Sequence, residues 1–273
     1  MNIQRRMAMI DASIKDLINS AVSTMIEKTG AADKLEHLQG KHEVKVHFIP
    51  KRYRVFGGML QSMNIQFGNF IEELMAALIG NESKYEILKE YSGKKSNSFK
   101  LSVSNDERID AYITRCQIEP NMDLDKEFAA LQDEIVNDTD PHTNNFKHDI
   151  DLLFKDKETG IIYYVESKYN DDHDTGKFVD INRKIIKTYA YLAREFGIKN
   201  KGELVPILFF FTNKKMKGNI YIPEQTNILR GRNFFEKFLS VKYNDVDEYL
   251  SSLSESDDVV RMFDNLYHRV MNS

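Results

Sequence analysis

Between positions 148 and 168 the sequence sets two aspartates, a glutamate and a lysine into segments that otherwise read as apolar strands, HDIDLLF and IIYYVESK, joined by the polar turn KDKETG. Side chains alternate across a strand, so Asp149 and Asp151 are expected on one face of the first segment, and Glu166 and Lys168 on one face of the second. Pairing through the turn brings acids and a lysine onto a single surface. Ionisable groups in apolar strands are costly unless a metal or a charged substrate neutralises them. Two carboxylates on adjacent strands suit a hard divalent cation such as Mg²⁺, which prefers oxygen ligands and keeps several waters. Such an ion polarises a phosphoryl oxygen and lowers the pKa of a bound water, the requirements of phosphodiester hydrolysis near neutral pH. Lys168, two residues beyond Glu166, points to the same site and can orient the attacking water and stabilise charge developing on the phosphate. Parity does not separate the aspartates. Asp151, directly before the run Leu152, Leu153 and Phe154, is the preferred metal ligand beside Glu166, and Asp149 is the alternate.

Elements on either side must hold this hairpin. Apolar residues at Met7, Ile10, Ile14, Leu17, Ala21 and Met25 predict an amphipathic helix over 3–28, which Gly30 stops. HEVKVHFIP alternates as a strand does, and KRYRVFGG reads as a basic, glycine-ended loop. A second helix carries Leu60, Met63, Phe67, Phe70, Ile71, Leu74 and Leu78 and ends at Gly80 and Asn81; Glu72 and Glu73 flank its apolar stripe. FKLSV and RIDAYIT read as strands, with Asp110 in the latter taken as structural or as a loop-end residue, and 119–147 as an acidic, turn-rich connection holding a short helix around 128–135. After the hairpin, a helix over about 178–196 presents Arg183, Lys187 and Arg194 opposite its apolar side. VPILFFF has the continuous apolar character of a strand buried on both faces, and the helix before it predicts a right-handed βαβ crossover. TNKKMKGNIYIP adds a basic turn and a short strand, and helices fill 232–271.

Composition narrows the class. The 273 residues are 41% hydrophobic and 29% charged, and no apolar stretch approaches the roughly 20 residues of a membrane span. The N-terminal residues lack an apolar run ending in a cleavage site, so an intracellular protein is expected. One cysteine, Cys116, excludes an intrachain disulfide and a Cys-rich zinc site. The net charge of −4 is segregated. Lys41, Lys45, Lys51, Arg52 and Arg54 cluster in one run, and Arg183, Lys184, Lys187, Arg194, Lys199 and Lys201 in another. Local basic surface rather than total charge decides whether a phosphate backbone is held, although each run also fits a solvated face.

The order helix with glutamate, acid before an apolar strand, ExK strand, helix, strand resembles the PD-(D/E)xK nuclease fold. FGNFIEE, HDIDLLF and VESKYNDDHDTGKFVDINRKIIKTYAYL together resemble type II restriction endonucleases of the HinfI/TdeIII kind, over about 61–211. The resemblance implies an α/β fold with a mixed central sheet flanked by helices, and helical additions at both ends. It implies one endonuclease domain over 1–273, with a core at about 57–222. It also implies a Mg²⁺-dependent enzyme that cuts both strands of a short, interrupted palindrome of the G-x-N-x-C type in the cytoplasm of a prokaryotic cell, beside a cognate DNA methyltransferase. Asp151 and Glu166 would bind metal, Lys168 would serve the water, and Glu72 would assist, with Glu73 competing for that helix position. Ile150 stands where the motif's proline is expected, which leaves the choice between the acids open. Symmetric cutting of a palindrome is most simply done by a homodimer. Lys51, Arg52, Arg54, Lys177, Arg183, Lys187, Lys214 and Lys215 are the candidate contacts to double-stranded DNA. Competing readings are a structure-specific repair or recombination nuclease of the same fold and a non-catalytic DNA-binding protein.

Overall fold

The computed structural model describes residues 10–95, 97–119, 121–171, 175–215 and 218–272. In chain order the elements are α1 (Ala12–Thr29), α2 (Ala32–Glu43), α3 (Lys51–Asn81), β1 (Tyr85–Ile87), β2 (Ser98–Ser102), α4 (Val103–Ile118), α5 (Leu124–Val136), β3 (Thr143–Lys147), β4 (Leu152–Asp156), β5 (Ile162–Lys168), α6 (Thr175–Glu195), β6 (Leu204–Phe210), β7 (Ile228–Arg230), α7 (Gly231–Phe238), α8 (Tyr243–Ser254) and α9 (Asp257–Met271). They divide into two compact units, Met1–Ala77 with Val241–Ser273, and Leu78–Ser240.

The first unit is helical. The Asp11 carboxylate accepts from Ser13 N–H at the start of α1, and the Gly30 N–H closes its end on the Ile26 carbonyl at 2.9 Å. Residues 3–9 of the helix expected over 3–28, Met7 included, lie outside the described residues. Ile26, Val55, Met59, Met63, Val259, Leu266 and Val270 form one apolar core, so helices from both ends of the chain share it. The Arg269 guanidinium donates to the Gly30 carbonyl at 3.1 Å, and a Cβ at position 30 would stand 2.7 Å from that guanidinium. Two expectations fail in this unit. KRYRVFGG is the opening of α3, not a loop, with Tyr53 and Arg54 N–H bonding back to the Pro50 carbonyl. HEVKVHFIP is not a strand: Val44, Val46 and Phe48 are 84%, 103% and 93% exposed, so no sheet neighbour buries the apolar side that the alternation implied.

The second unit is mixed α/β, as expected. Among the described residues its main sheet has five strands in the order β1-β4-β5-β6-β7, antiparallel across β1, β4 and β5 and parallel across β5, β6 and β7. The parallel step from β5 to β6 runs through α6. β6 is buried on both faces. Phe209 meets Phe234 of α7 at 4.4 Å between ring centroids, while Leu208 and Phe210 belong to the core that α6 closes with Ile185, Tyr189 and Leu192. Pro206 precedes the stretch paired with β7, and its carbonyl accepts from the Asn227 side chain at 2.8 Å.

Three further expectations are corrected here. RIDAYIT lies within α4. The Ser102 hydroxyl caps that helix by accepting from Asn105 N–H at 3.2 Å, and Ile109, Tyr112, Ile113 and Cys116 are buried at helical spacing. In NIYIP no strand forms, because the Asn219 side chain accepts from Tyr221 and Ile222 N–H; the strand falls on β7 instead. The turn-rich connection hides β3, which pairs antiparallel with β2 as a separate two-stranded ribbon. No helix among the described residues is long and apolar enough to cross a membrane.

Candidate active site

The β4–β5 hairpin closes through a tight turn. The Asp156 carboxylate accepts from Glu158 and Thr159 N–H at 2.9 and 3.1 Å and pairs with Lys84 at 3.1 Å, and Gly160 takes φ +76°, a conformation that suits a residue without Cβ. The register Leu152↔Val165 and Leu153↔Tyr164 brings the entrance of β4 beside the exit of β5. Asp149 and Asp151 precede β4 rather than lie in it, so strand parity does not govern them. The Asp151 carboxylate accepts from Ser167 N–H at 2.7 Å, which fixes it against the exit of β5.

Lys168 gathers the charges. Its ammonium donates to Glu166 Oε1 at 2.7 Å and to the Ser167 carbonyl at 2.8 Å, and lies 3.6 Å from Asp151 Oδ2. Glu166 is 4% exposed. Burial alone would raise its carboxyl pKa, but Lys168 and His148 outweigh that and hold it well below the usual carboxylate range. Its other oxygen, Oε2, is 3.1 Å from His148 Nε2 and accepts from the Tyr164 hydroxyl at 3.3 Å. Burial first, then the nearby Glu166 charge, push the Tyr164 phenol well above its ordinary value, so it remains a donor.

Two hard carboxylates held on either side of one cation are a donor set for an oxygen-preferring divalent ion that keeps water in its remaining positions. No group of three or more His, Cys, Asp or Glu side chains among the described residues forms a fuller ligand cage. Asp151 and Glu166 are the two carboxylates here that could hold such an ion. His148 and Tyr164 were not among the residues expected at the site. Spacing gives no sign of either, since the register of β4, β5 and the segment before them is what brings His148 to Glu166.

The remaining candidates separate into different settings. Glu72 is half-buried and Glu73 exposed on α3, in the first unit, whereas the hairpin belongs to the second. Lys51 pairs with Glu43, Arg52 lies over the Tyr53 ring, and Arg54 donates to the Lys45 carbonyl at 3.1 Å. The basic ridge of α6 is met from within the chain. Arg183 pairs with Asp110 at 3.0 Å, Lys187 with Asp106 and with Asp110 at 3.2 Å, and Arg194 donates to the Asp140 carbonyl. Asp110 thus pairs with α6 from inside α4 and is not a loop-end residue. Lys177 and Lys214 are exposed, and Lys215 lies 3.4 Å from Glu224. In the following segment Arg230 is drawn inward between Glu224 and the fully buried Asp171. Within the polar loop after Lys168, residues 172–174 lie outside the described residues.

A profile of the type II restriction endonuclease family HinfI matches residues 10–254. The chain belongs to the HinfI family of type II restriction endonucleases. It is 60% identical over 258 residues to the type II restriction enzyme HinfI of Haemophilus influenzae, an alignment covering 94% of this chain and 97% of that one. No solved structure matches the chain. The protein is accordingly a site-specific restriction endonuclease, a hydrolase that acts on double-stranded DNA.

Proposed function

We propose that this endonuclease hydrolyses phosphodiester bonds in both strands of a short, interrupted palindrome of the G-x-N-x-C type, with Mg²⁺ as its cofactor and as a homodimer. In this reading it serves a restriction-modification system in the cytoplasm of a prokaryotic cell, alongside a cognate DNA methyltransferase. The observation that carries the chemistry is the Lys168 ammonium between the Glu166 and Asp151 carboxylates, at 2.7 and 3.6 Å.

Asp151 and Glu166 are the residues that would hold the ion, which when bound polarises the scissile phosphate and acidifies a water. The chain's own groups set the stage for that chemistry. The Ser167 N–H orients Asp151, and His148 and Tyr164 orient Glu166 so that its Oε1 faces Lys168. The Lys168 ammonium, set between the two carboxylates, would orient the attacking water and offset charge developing on the phosphate. Glu72 of α3, with Glu73 as its alternate, is a further residue on which cleavage is proposed to depend. Incubation with plasmid DNA and Mg²⁺ should give discrete fragments, abolished by EDTA and by Lys168→Ala. A smear, or cutting that persists in that variant, would count against the assignment.

A further inference from the structure

The β2–β3 ribbon carries a face that the hydrolytic chemistry leaves unused. Its register pairs Ser98 with Lys147, Phe99 with Phe146, Lys100 with Asn145 and Leu101 with Asn144. One face packs inward: Phe99 is 1% exposed, its ring 4.0 Å from that of Tyr191 on α6, and Asn144 donates to Asp106 at 3.3 Å. The other face presents Ser98, Lys100, Asn145 and Lys147, all exposed, and neither strand contains an acidic residue. No ion pair or side-chain hydrogen bond engages Lys100, Asn145 or Lys147 among the described residues. Arg183 and Lys187 of α6 differ, since Asp106 and Asp110 already pair with them. β3 then runs without a break into His148, the residue bonded to Glu166.

We propose that the outward face of this ribbon is a duplex-DNA contact surface, with Lys100 and Lys147 on backbone phosphates and Asn145 at a base edge. The assignment rests on the nuclease reading of the hairpin and adds to it the surface that seats the substrate. Charge selects the occupant, because two uncompensated lysines on a face without carboxylates suit a polyanion. Shape agrees, since the major groove is about 12 Å wide and admits a two-stranded ribbon. Reach agrees as well. At about 3.3 Å per strand residue, Asn145 stands roughly 10 Å of chain from His148, a span of about three base steps. The amide of Asn145 offers the donor and acceptor that base-edge readout requires, and the Phe99 anchor on α6 holds it rigid relative to the cutting centre.

The test uses the full chain and the variants Lys100→Ala/Lys147→Ala and Asn145→Ala, whose exposed positions should leave the melting temperature unchanged. Fluorescence anisotropy on a labelled linear duplex in EDTA, over a series of KCl concentrations, should show weaker binding by the double variant. The slope of log K against log salt should shrink by about 2, near 0.9 for each phosphate that is no longer neutralised. With Mg²⁺, Asn145→Ala should lower the ratio of kcat/KM between the mapped cleavage site and its single-base variants by roughly ten- to hundredfold. Discrete cutting by the unaltered protein, together with unchanged binding and salt slope in the double variant, would overturn the ribbon assignment and leave the nuclease reading intact. Lysine-dependent binding by a protein that does not cut would keep the ribbon and remove the nuclease reading. No binding of duplex by the unaltered protein would remove both.

Discussion

Replacing Lys168 by methionine removes the cation that lets Asp151 and Glu166 coexist while keeping much of the side chain's bulk. With an effective dielectric of about 20, unit charges at the observed 2.7 and 3.6 Å attract by about 6 and 5 kcal/mol before desolvation is counted. Removing one member of a buried pair costs about 3–5 kcal/mol in net stability. Lys168 retains 23% side-chain exposure and His148 stays bonded to Glu166, so the lower end, about 3 kcal/mol, is expected. For a fold of this size that corresponds to a fall in Tm of about 6–12 °C. Added Mg²⁺ should then raise the Tm of the variant more than that of the unaltered enzyme, because a metal can replace the missing ammonium as counter-charge. Cleavage should fall by about 10²–10⁴-fold, the range for losing a positioned proton-handling or charge-stabilising group. Both readouts are needed, calorimetry with and without Mg²⁺ and timed digestion of plasmid. A variant that cuts within tenfold of the unaltered rate would refute the role of Lys168 in chemistry, and an unchanged metal-free Tm would refute the electrostatic accounting.

The choice between the aspartates predicts that Asp151→Asn lowers the cleavage rate by about 10²-fold or more, whereas Asp149→Asn stays within a few-fold; equal losses in single-turnover digestion would reject the preference. On α3, Glu72→Gln should reduce cleavage by about 10–100-fold and Glu73→Gln should not; the reverse ranking in the same digestion would transfer the role to Glu73. Asp156 gives a pH test away from the site. Hydrogen bonding from Thr159 N–H outweighs the opposing effect of burial and, with Lys84, lowers its folded pKa, so its charge stabilises the fold above its unfolded value and that contribution fades as pH falls through the folded one. The Tm gap between the unaltered protein and Asp156→Asn should be widest near neutral pH and close below about pH 4; a gap that stays constant down to pH 3 contradicts the assignment.

The hairpin was legible because ionisable residues in two apolar runs stand out against their neighbours, and the pairing of β4 with β5 follows from the turn between them. Its finer geometry was not. Asp151 stands in the segment before the strand, and His148 reaches Glu166 only through a register that no local pattern encodes. RIDAYIT has the Ile, Tyr and Thr content of a strand, and only a longer window shows Ile109, Tyr112, Ile113 and Cys116 at the period of a helix. With α4 a helix, Asp106 and Asp110 come opposite α6 and pair with Lys187 and Arg183, contacts that a strand reading does not anticipate. TNNFK lacks strand propensity and becomes β3 through its pairing with β2 and the contact of Phe146 with Phe99. Val44, Val46 and Phe48 err the other way, alternating as a strand does while staying exposed.

The discontinuous first unit has a consequence for biosynthesis. Domains made as unbroken stretches can fold in the order in which they leave the ribosome, N-terminal first. Here Ile26, Val55, Met59 and Met63 emerge early, while Val259, Leu266 and Val270, which complete their core, are translated only after the whole second unit. The order of folding is therefore inverted. The unit bearing the hairpin can assemble while the core of the nascent N-terminal helices is still incomplete.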